Sequence, residues 1–192
     1  KLNKQDSTAI GHLAKFNDNY KGLNYVKSNL QRMSWYYLVM GNHTKAEQYK
    51  AAILNSGHTI NEEDKQAQRF SKKHLPNSDL LSTRLYYDGG YFDLASSAIS
   101  VINAKSLTTL DLKAEYCYRK GRILEKQGAM VRALKFYEAC TLFAISSEEY
   151  YGAYAAIFLG DYYFKINDKV NSHKFYDRAL SFQKNKEYTE SI

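Results

Sequence analysis

Proline is almost absent from this sequence: Pro76 is the single one in 192 residues. Proline removes a backbone donor and breaks helix interiors, so its scarcity leaves long stretches open to helix. The ten glycines are scattered and do not punctuate short alternating runs, which argues against a many-turned β protein. No apolar run is long enough to span a bilayer, and membrane insertion is not expected. The two cysteines, Cys117 and Cys140, are too few for a disulfide-stapled framework. They fall at helical core spacing in one hairpin, where each is expected as a small buried thiol. At this length folding buries about 70% of the surface of the unfolded chain, enough for a core that needs no metal or staple. The expectation is an all-α chain forming a single domain over 1–192.

The formal charge is +7, unevenly spread: the first 75 residues hold 12 Lys/Arg against 6 Asp/Glu, and the rest hold 15 against 14. Such an excess attracts phosphate backbones and acidic surfaces. Here, however, the cations stand singly, as Lys15, Lys21, Lys27 and Arg32 do, which is the pattern of solvated helix faces. Nucleic acid is therefore not the expected partner.

A repeat organises the chain. Gly41, Gly90, Gly128 and Asn167 are each followed five positions later by a small residue: Ala46, Ala95, Ala133 and Ser172. Those small residues recur 49, 38 and 39 positions apart. After each comes a stripe at spacings of four and three, which stays on one helix face: Ala133, Tyr137 and Cys140; Ser172, Tyr176 and Ala179; Ala95, Ile99 and Ile102; Ala46, Lys50 and Ile53. Four residues before each turn position stand Tyr37, Tyr86, Leu124 and Tyr163. Each unit thus reads as helix, tight turn, helix, over about 20–56, 76–104, 110–144 and 147–184. Glycine or asparagine suits the turn because it enters the left-handed region at little cost. The small residue lets the paired helices approach, and Gly121 and Gly160 read as close-contact sites in the first helix. A hairpin with one apolar face must stack on a neighbour.

Two boundary signals accompany the repeat. Ser146-Ser147-Glu148-Glu149 has the pattern of a capping box and predicts a helix start there. The longer first interval holds Thr59-Ile60-Asn61-Glu62 and a polar run to Lys73, predicting an extra short helix near 61–73.

Gly121, Leu124, Ala133 and Tyr137, then Leu159, Gly160, Tyr163 and Tyr176, resemble the signature positions of the tetratricopeptide repeat family. The departures are the 38- and 39-residue periods, Cys140 and Ser172 where alanine is usual, and the missing closing prolines. Tyr20 to Lys27, Arg32 to Leu38, Leu81 to Tyr91 and Tyr116 to Lys126 together resemble the C-terminal half of a tetratricopeptide family of Bacteroidetes-type bacteria that has no assigned activity. The resemblance implies a superhelix of stacked hairpins, a longer parent chain and an exported or periplasmic setting, with a cytoplasmic one as the alternative.

Catalytic motifs are missing. There is no glycine-rich phosphate loop, no paired-cysteine motif and no His-Glu-x-x-His run, and His12, His43, His58, His74 and His173 are dispersed. Ser96-Ser97 and Ser146-Ser147 lack a recognisable base and oxyanion partner. No enzyme activity, cofactor or metal is expected. In tetratricopeptide proteins the first helix of each hairpin lines the groove. That resemblance assigns to the groove Trp35, Leu38 and Val39; Arg84, Tyr87 and Asp88; Tyr118, Arg122, Glu125 and Lys126; and Tyr154, Ile157, Asp161 and Phe164. Aromatic side chains mixed with arginine are suited to peptide recognition. Chaperone-tail clamps of the family use lysine and asparagine where this chain has Tyr118 and Arg122, or Leu80 and Arg84, so that clamp is not expected. The expected function is a scaffold holding a protein or peptide, the alternative a module packing on its own chain or on a second copy, and the least favoured reading a nucleic-acid-binding helical domain.

Overall fold

A computed structural model describes residues 5–182, and among them every regular element is helical. Ten α-helices follow in order: α1 (Gln5–Asn19), α2 (Val26–Val39), α3 (His43–Ala52), α4 (Glu62–Ser71), α5 (Ser78–Asp88), α6 (Phe92–Ser100), α7 (Leu110–Lys126), α8 (Met130–Phe143), α9 (Tyr151–Lys165) and α10 (Lys169–Ser181). The chain divides into two compact units at Leu81/Ser82, inside α5.

All four hairpin turns close with the same pair of backbone hydrogen bonds. Gly41, Gly90, Gly128 and Asn167 have φ of 78°, 80°, 74° and 61°. Each donates its N–H to the carbonyl three residues back, on Leu38, Tyr87, Glu125 and Phe164. The next residue donates to the carbonyl five back, on Tyr37, Tyr86, Leu124 and Tyr163. This double bond is the Schellman ending, which satisfies two carbonyls that a helix terminus would leave unpaired and needs one left-handed residue. The small residues five positions on are all buried, Ala46, Ala95 and Ala133 with no exposure and Ser172 with 2%.

In the first unit, α2 lies against α1, α3 and α4. Asn29 Nδ2 donates to Leu13 O at 2.9 Å and Asn17 Oδ1 at 2.7 Å, tying α2 to α1. Ser34 Oγ donates to Ala46 O (2.8 Å) across the α2–α3 hairpin. Leu30, Ile53 and Ala67 form one apolar cluster, and Leu38, Ala46 and Leu81 another. The predicted extra helix is α4, capped by Asn61, whose Oδ1 accepts from Asp64 N (2.7 Å). Asp64 is fully buried. Its carboxylate accepts from Tyr25 N (2.5 Å), Ser28 N (2.9 Å) and Asn61 Nδ2 (2.9 Å). One helix thereby caps the N-terminus of another, and holds Tyr25 at a left-handed φ of 63°. Helix α1 has no counterpart in the predicted units, which began at residue 20.

In the second unit α7 packs on α8, α8 on α9, α9 on α10, and α6 on α7. The core holds Cys117, Leu124, Ala133, Tyr137, Cys140, Leu159 and Phe175. Helix α9 begins at Tyr151 with no side-chain cap, later than the capping-box pattern predicted. Ser147 Oγ instead accepts from Glu149 N (3.1 Å), two residues on. That short contact makes a turn between α8 and α9 and so competes with a helix start.

Candidate binding face of the second unit

Helices α7 and α9 run side by side in the same direction, because a tight turn reverses α7 into α8 and a second connection reverses α8 into α9. The side-chain pairs advance in the same sense along both helices: Arg119 meets Tyr151, and Arg122, further along α7, meets Phe158, further along α9.

Arg122 is the centre of this face. Its guanidinium carbon lies 4.7 Å from the Phe158 ring centroid, 5.1 Å from that of Tyr87 and 6.0 Å from that of Tyr118. Three rings from α5, α7 and α9 therefore cage one cation, which the negative faces of the rings favour. Nη1 donates to Tyr118 Oη (3.2 Å), while Nε stands 3.8 Å from Glu125 Oε2. Nε is buried without a hydrogen bond, as is the hydroxyl of Tyr87. Burial opposes the charge, yet the Tyr118 and Tyr87 hydroxyls hold the guanidinium above its ordinary pKa. The Tyr118 phenol is pushed up to about 12, first by burial and then by Tyr150, against the pull of Arg122. Glu125 also accepts from Tyr137 Oη at 2.7 Å, and burial, followed by that bond, raises the Tyr137 phenol.

The other expected groove residues divide. Lys126, one turn beyond Arg122, is exposed, with Nζ 5.6 Å from the Phe92 ring. Tyr87 meets Phe92 edge-on at 5.2 Å. Arg84 pairs with Asp88 on its own helix at 3.3 Å. Tyr154 meets Tyr150 edge-on at 5.5 Å, and Tyr150 meets Tyr118 in the same way at 5.7 Å. So Tyr87, Tyr118, Arg122, Lys126 and Tyr154 are joined by contacts. Asp161 is turned to Tyr176, whose hydroxyl donates to it at 2.8 Å, and Phe164 is 67% exposed. Trp35, Leu38 and Val39 pack in the first unit's own core.

The sequence reading missed Phe158, the third wall of the cage, because the repeat alignment pointed one residue earlier, to Ile157. It also missed a buried ion pair: Arg119 Nε donates to Glu115 Oε1 at 2.8 Å, with both side chains almost wholly enclosed, and Tyr151 Oη stands 3.5 Å from Nη2. Their four-residue spacing on α7 was the available signal.

On the α8–α10 side, an open pocket of about 640 Å³ is lined by Glu138, Lys174, Asp177 and Arg178 among others. Arg178 spends one donor there on Thr141 O (3.1 Å). Cys117 and Cys140 are free, buried thiols, and burial pushes Cys117 up to about 11 and Cys140 higher still. Neither is a thiolate at neutral pH. Among the described residues no three His, Cys, Asp or Glu side chains are grouped to hold a metal ion. No described helix is long and apolar enough to cross a membrane.

Comparison of the chain with protein-family models, curated proteins and solved structures finds no match.

Proposed function

We propose that this chain is a non-catalytic interaction scaffold of tetratricopeptide type, whose second unit offers the face of its first helices to a peptide or helix of another protein. The four identical turns, the buried small residues after them and the resemblance of Gly121, Leu124, Ala133 and Tyr137 to the family signature support the hairpin-stack part of the reading. Arg122 carries the functional part. A core arginine has its charge enclosed and paired, as Arg119 does; Arg122 keeps 29% of its side chain accessible while three rings fix its orientation. Rigid aromatics around an arginine are the composition of recognition hot spots.

The test is capture of a partner by paired baits. The informative variants are Lys126→Glu and Tyr154→Ala, because both leave Arg122 and the turn hydrogen bonds in place. A protein retained by the unchanged chain and lost with both variants supports this face; identical captures remove it.

A second reading, packing against another part of the polypeptide or a second copy, is favoured by Phe164, Ile166 and Val170. These are 67%, 55% and 80% exposed around the α9–α10 turn. Light scattering of the chain beside a Phe164→Ser, Val170→Ser variant separates the readings: a dimer that the variant dissolves supports self-packing.

A further inference from the structure

The turn between α9 and α10 leaves three large apolar side chains in solvent: Phe164, Ile166 and Val170 are 67%, 55% and 80% exposed. The Schellman ending there requires only the left-handed Asn167. Valine is a poorer helix former than lysine or alanine, so local structure does not account for an exposed Val170 in the first turn of α10. Because α7 and α9 run in the same direction, the turn after α7 lies at the same edge of the second unit. Val131 occupies the matching position there, three residues after the left-handed one, and is 70% exposed.

The mobile charge around these side chains has one sign. Lys165, Lys169 and, on the neighbouring turn, Arg132 are exposed, and none makes an ion pair among the described residues. Residues 127–132 hold no acid, and Asp168 is the single one in 164–170. Asp168 is turned to the start of α10, accepting from Asn171 N at 3.1 Å and Asn171 Nδ2 at 2.7 Å. The nearest acids back along α7 and α9, Glu125 and Asp161, are engaged by the hydroxyls of Tyr137 and Tyr176.

We propose that this edge rests on a lipid bilayer bearing anionic headgroups, with Phe164, Ile166, Val170 and Val131 entering between the headgroups while Lys165, Lys169 and Arg132 meet their phosphates. Attachment of this kind is strengthened by apolar area and by cations together, and lysine stems lie along the apolar side chains while their ammonium groups stay in the polar layer. The contact is peripheral and needs no spanning helix. A second copy is the rival occupant. A two-fold dimer through this turn would set Lys165 and Lys169 against their own copies, and the cores of protein interfaces are depleted of lysine. An anionic surface receives the same lysines favourably. The proposal goes beyond the scaffold reading and does not depend on it.

The test is co-sedimentation of the whole chain with vesicles of phosphatidylglycerol and phosphatidylcholine in equal parts, beside vesicles of phosphatidylcholine alone. Binding to the anionic vesicles is expected to be about tenfold tighter or more and to fall as salt is raised. Lys165→Ala with Lys169→Ala should weaken it about thirtyfold, the product of the two lysines' contributions. Phe164→Ser with Val170→Ser should weaken it about tenfold or more. All four positions are exposed, so both variants should keep the helical circular dichroism of the unchanged chain. A Phe164→Trp reporter should shift its emission to shorter wavelength with the anionic vesicles. Failure to sediment with them, equal sedimentation with both vesicles, or binding that the two double variants leave undiminished overturns the proposal. So does a dimer that Phe164→Ser with Val170→Ser dissolves and that binds no vesicle, which assigns the edge to a second copy. Partner capture that depends on Lys126 and Tyr154 stands or falls separately.

Discussion

Tyr137 lies flat across the backbone of Gly121, so that a Cβ on Gly121 would stand 2.6 Å from ring carbon Cε1. Tyr176 repeats the relation with Gly160, again at 2.6 Å. Both pairs are sixteen residues apart, and the same offset joins Thr83 to Ile99 and Ser34 to Lys50. Where the second helix supplies a tyrosine ring, the first supplies no side chain at all. Where it supplies isoleucine or lysine, the first tolerates a hydroxyl-bearing residue, and Ser34 and Thr83 are fully buried there. In the α7–α8 and α9–α10 hairpins close approach is thus shared between the two helices.

Gly121→Ala and Gly160→Ala should therefore destabilise the second unit, although alanine is the better helix former by about 1 kcal/mol. Overpacking of this kind costs about 1–3 kcal/mol, and it wins because the obstacle is a packed ring. Gly11, in α1, has nothing within 4 Å of its added Cβ. Gly11→Ala should be neutral or stabilising, and urea unfolding midpoints of the three variants check the sign.

Removing the Asp64 carboxylate should unravel the start of α2. Asp64→Ala leaves the N–H groups of Tyr25 and Ser28 without their acceptor and is expected to cost about 3 kcal/mol. Asp64→Asn keeps one oxygen and should cost less. Hydrogen exchange at the Tyr25 and Ser28 amides, fast in the alanine variant and intermediate in the asparagine one, is the measurement.

The Glu115–Arg119 pair predicts a non-additive double-mutant cycle. Glu115→Gln strands a buried guanidinium and should cost about 3 kcal/mol or more. Arg119→Met strands the carboxylate with a similar penalty. Glu115→Leu together with Arg119→Met removes both charges and should recover most of the loss, as read from chemical denaturation of each variant.

Alkaline pH should weaken the fold through Cys117 and Tyr118. Their pKa values rise on folding from 9.0 to about 11 and from 10.0 to about 12. A raised acid is neutral in the folded chain while the unfolded chain ionises. Its contribution is therefore complete below the unfolded pKa and is lost between pH 9 and about 11 for the thiol, and between pH 10 and about 12 for the phenol. Each group steepens the decline by up to about 1.4 kcal/mol per pH unit, and Tyr118→Phe should flatten the later part of the curve. At pH 8 both thiols should resist a disulfide reagent until urea is added.

The hairpins were legible in the sequence because a Schellman turn needs one left-handed residue, and only glycine or asparagine takes that conformation cheaply. Gly41, Gly90, Gly128 and Asn167 announce it at fixed distance from Ala46, Ala95, Ala133 and Ser172. The helix near 61–73 was legible for a similar reason, its Asn61 cap reaching only three residues ahead. Helix α1 was not, since what ties it down is Asn29 on the next helix. The start of α9 was misplaced because the Glu149 N–H donates to Ser147 Oγ in a turn, a choice between two local hydrogen bonds that composition does not make.

The candidate face shows the same division. The sequence by itself determined that Tyr87, Tyr118, Arg122, Lys126 and Tyr154 stand on first helices, because helical period and turn position set the face to which a residue belongs. It did not determine that Arg84 is engaged by Asp88, that Asp161 is held by Tyr176, or that Arg122 is caged by Phe158 while part of its side chain stays accessible. Those outcomes were decided by tertiary structure alone. A turn closes through bonds spanning five residues, whereas the partners of the guanidinium come from three helices, and only the packing of α7 between its neighbours brings them within reach.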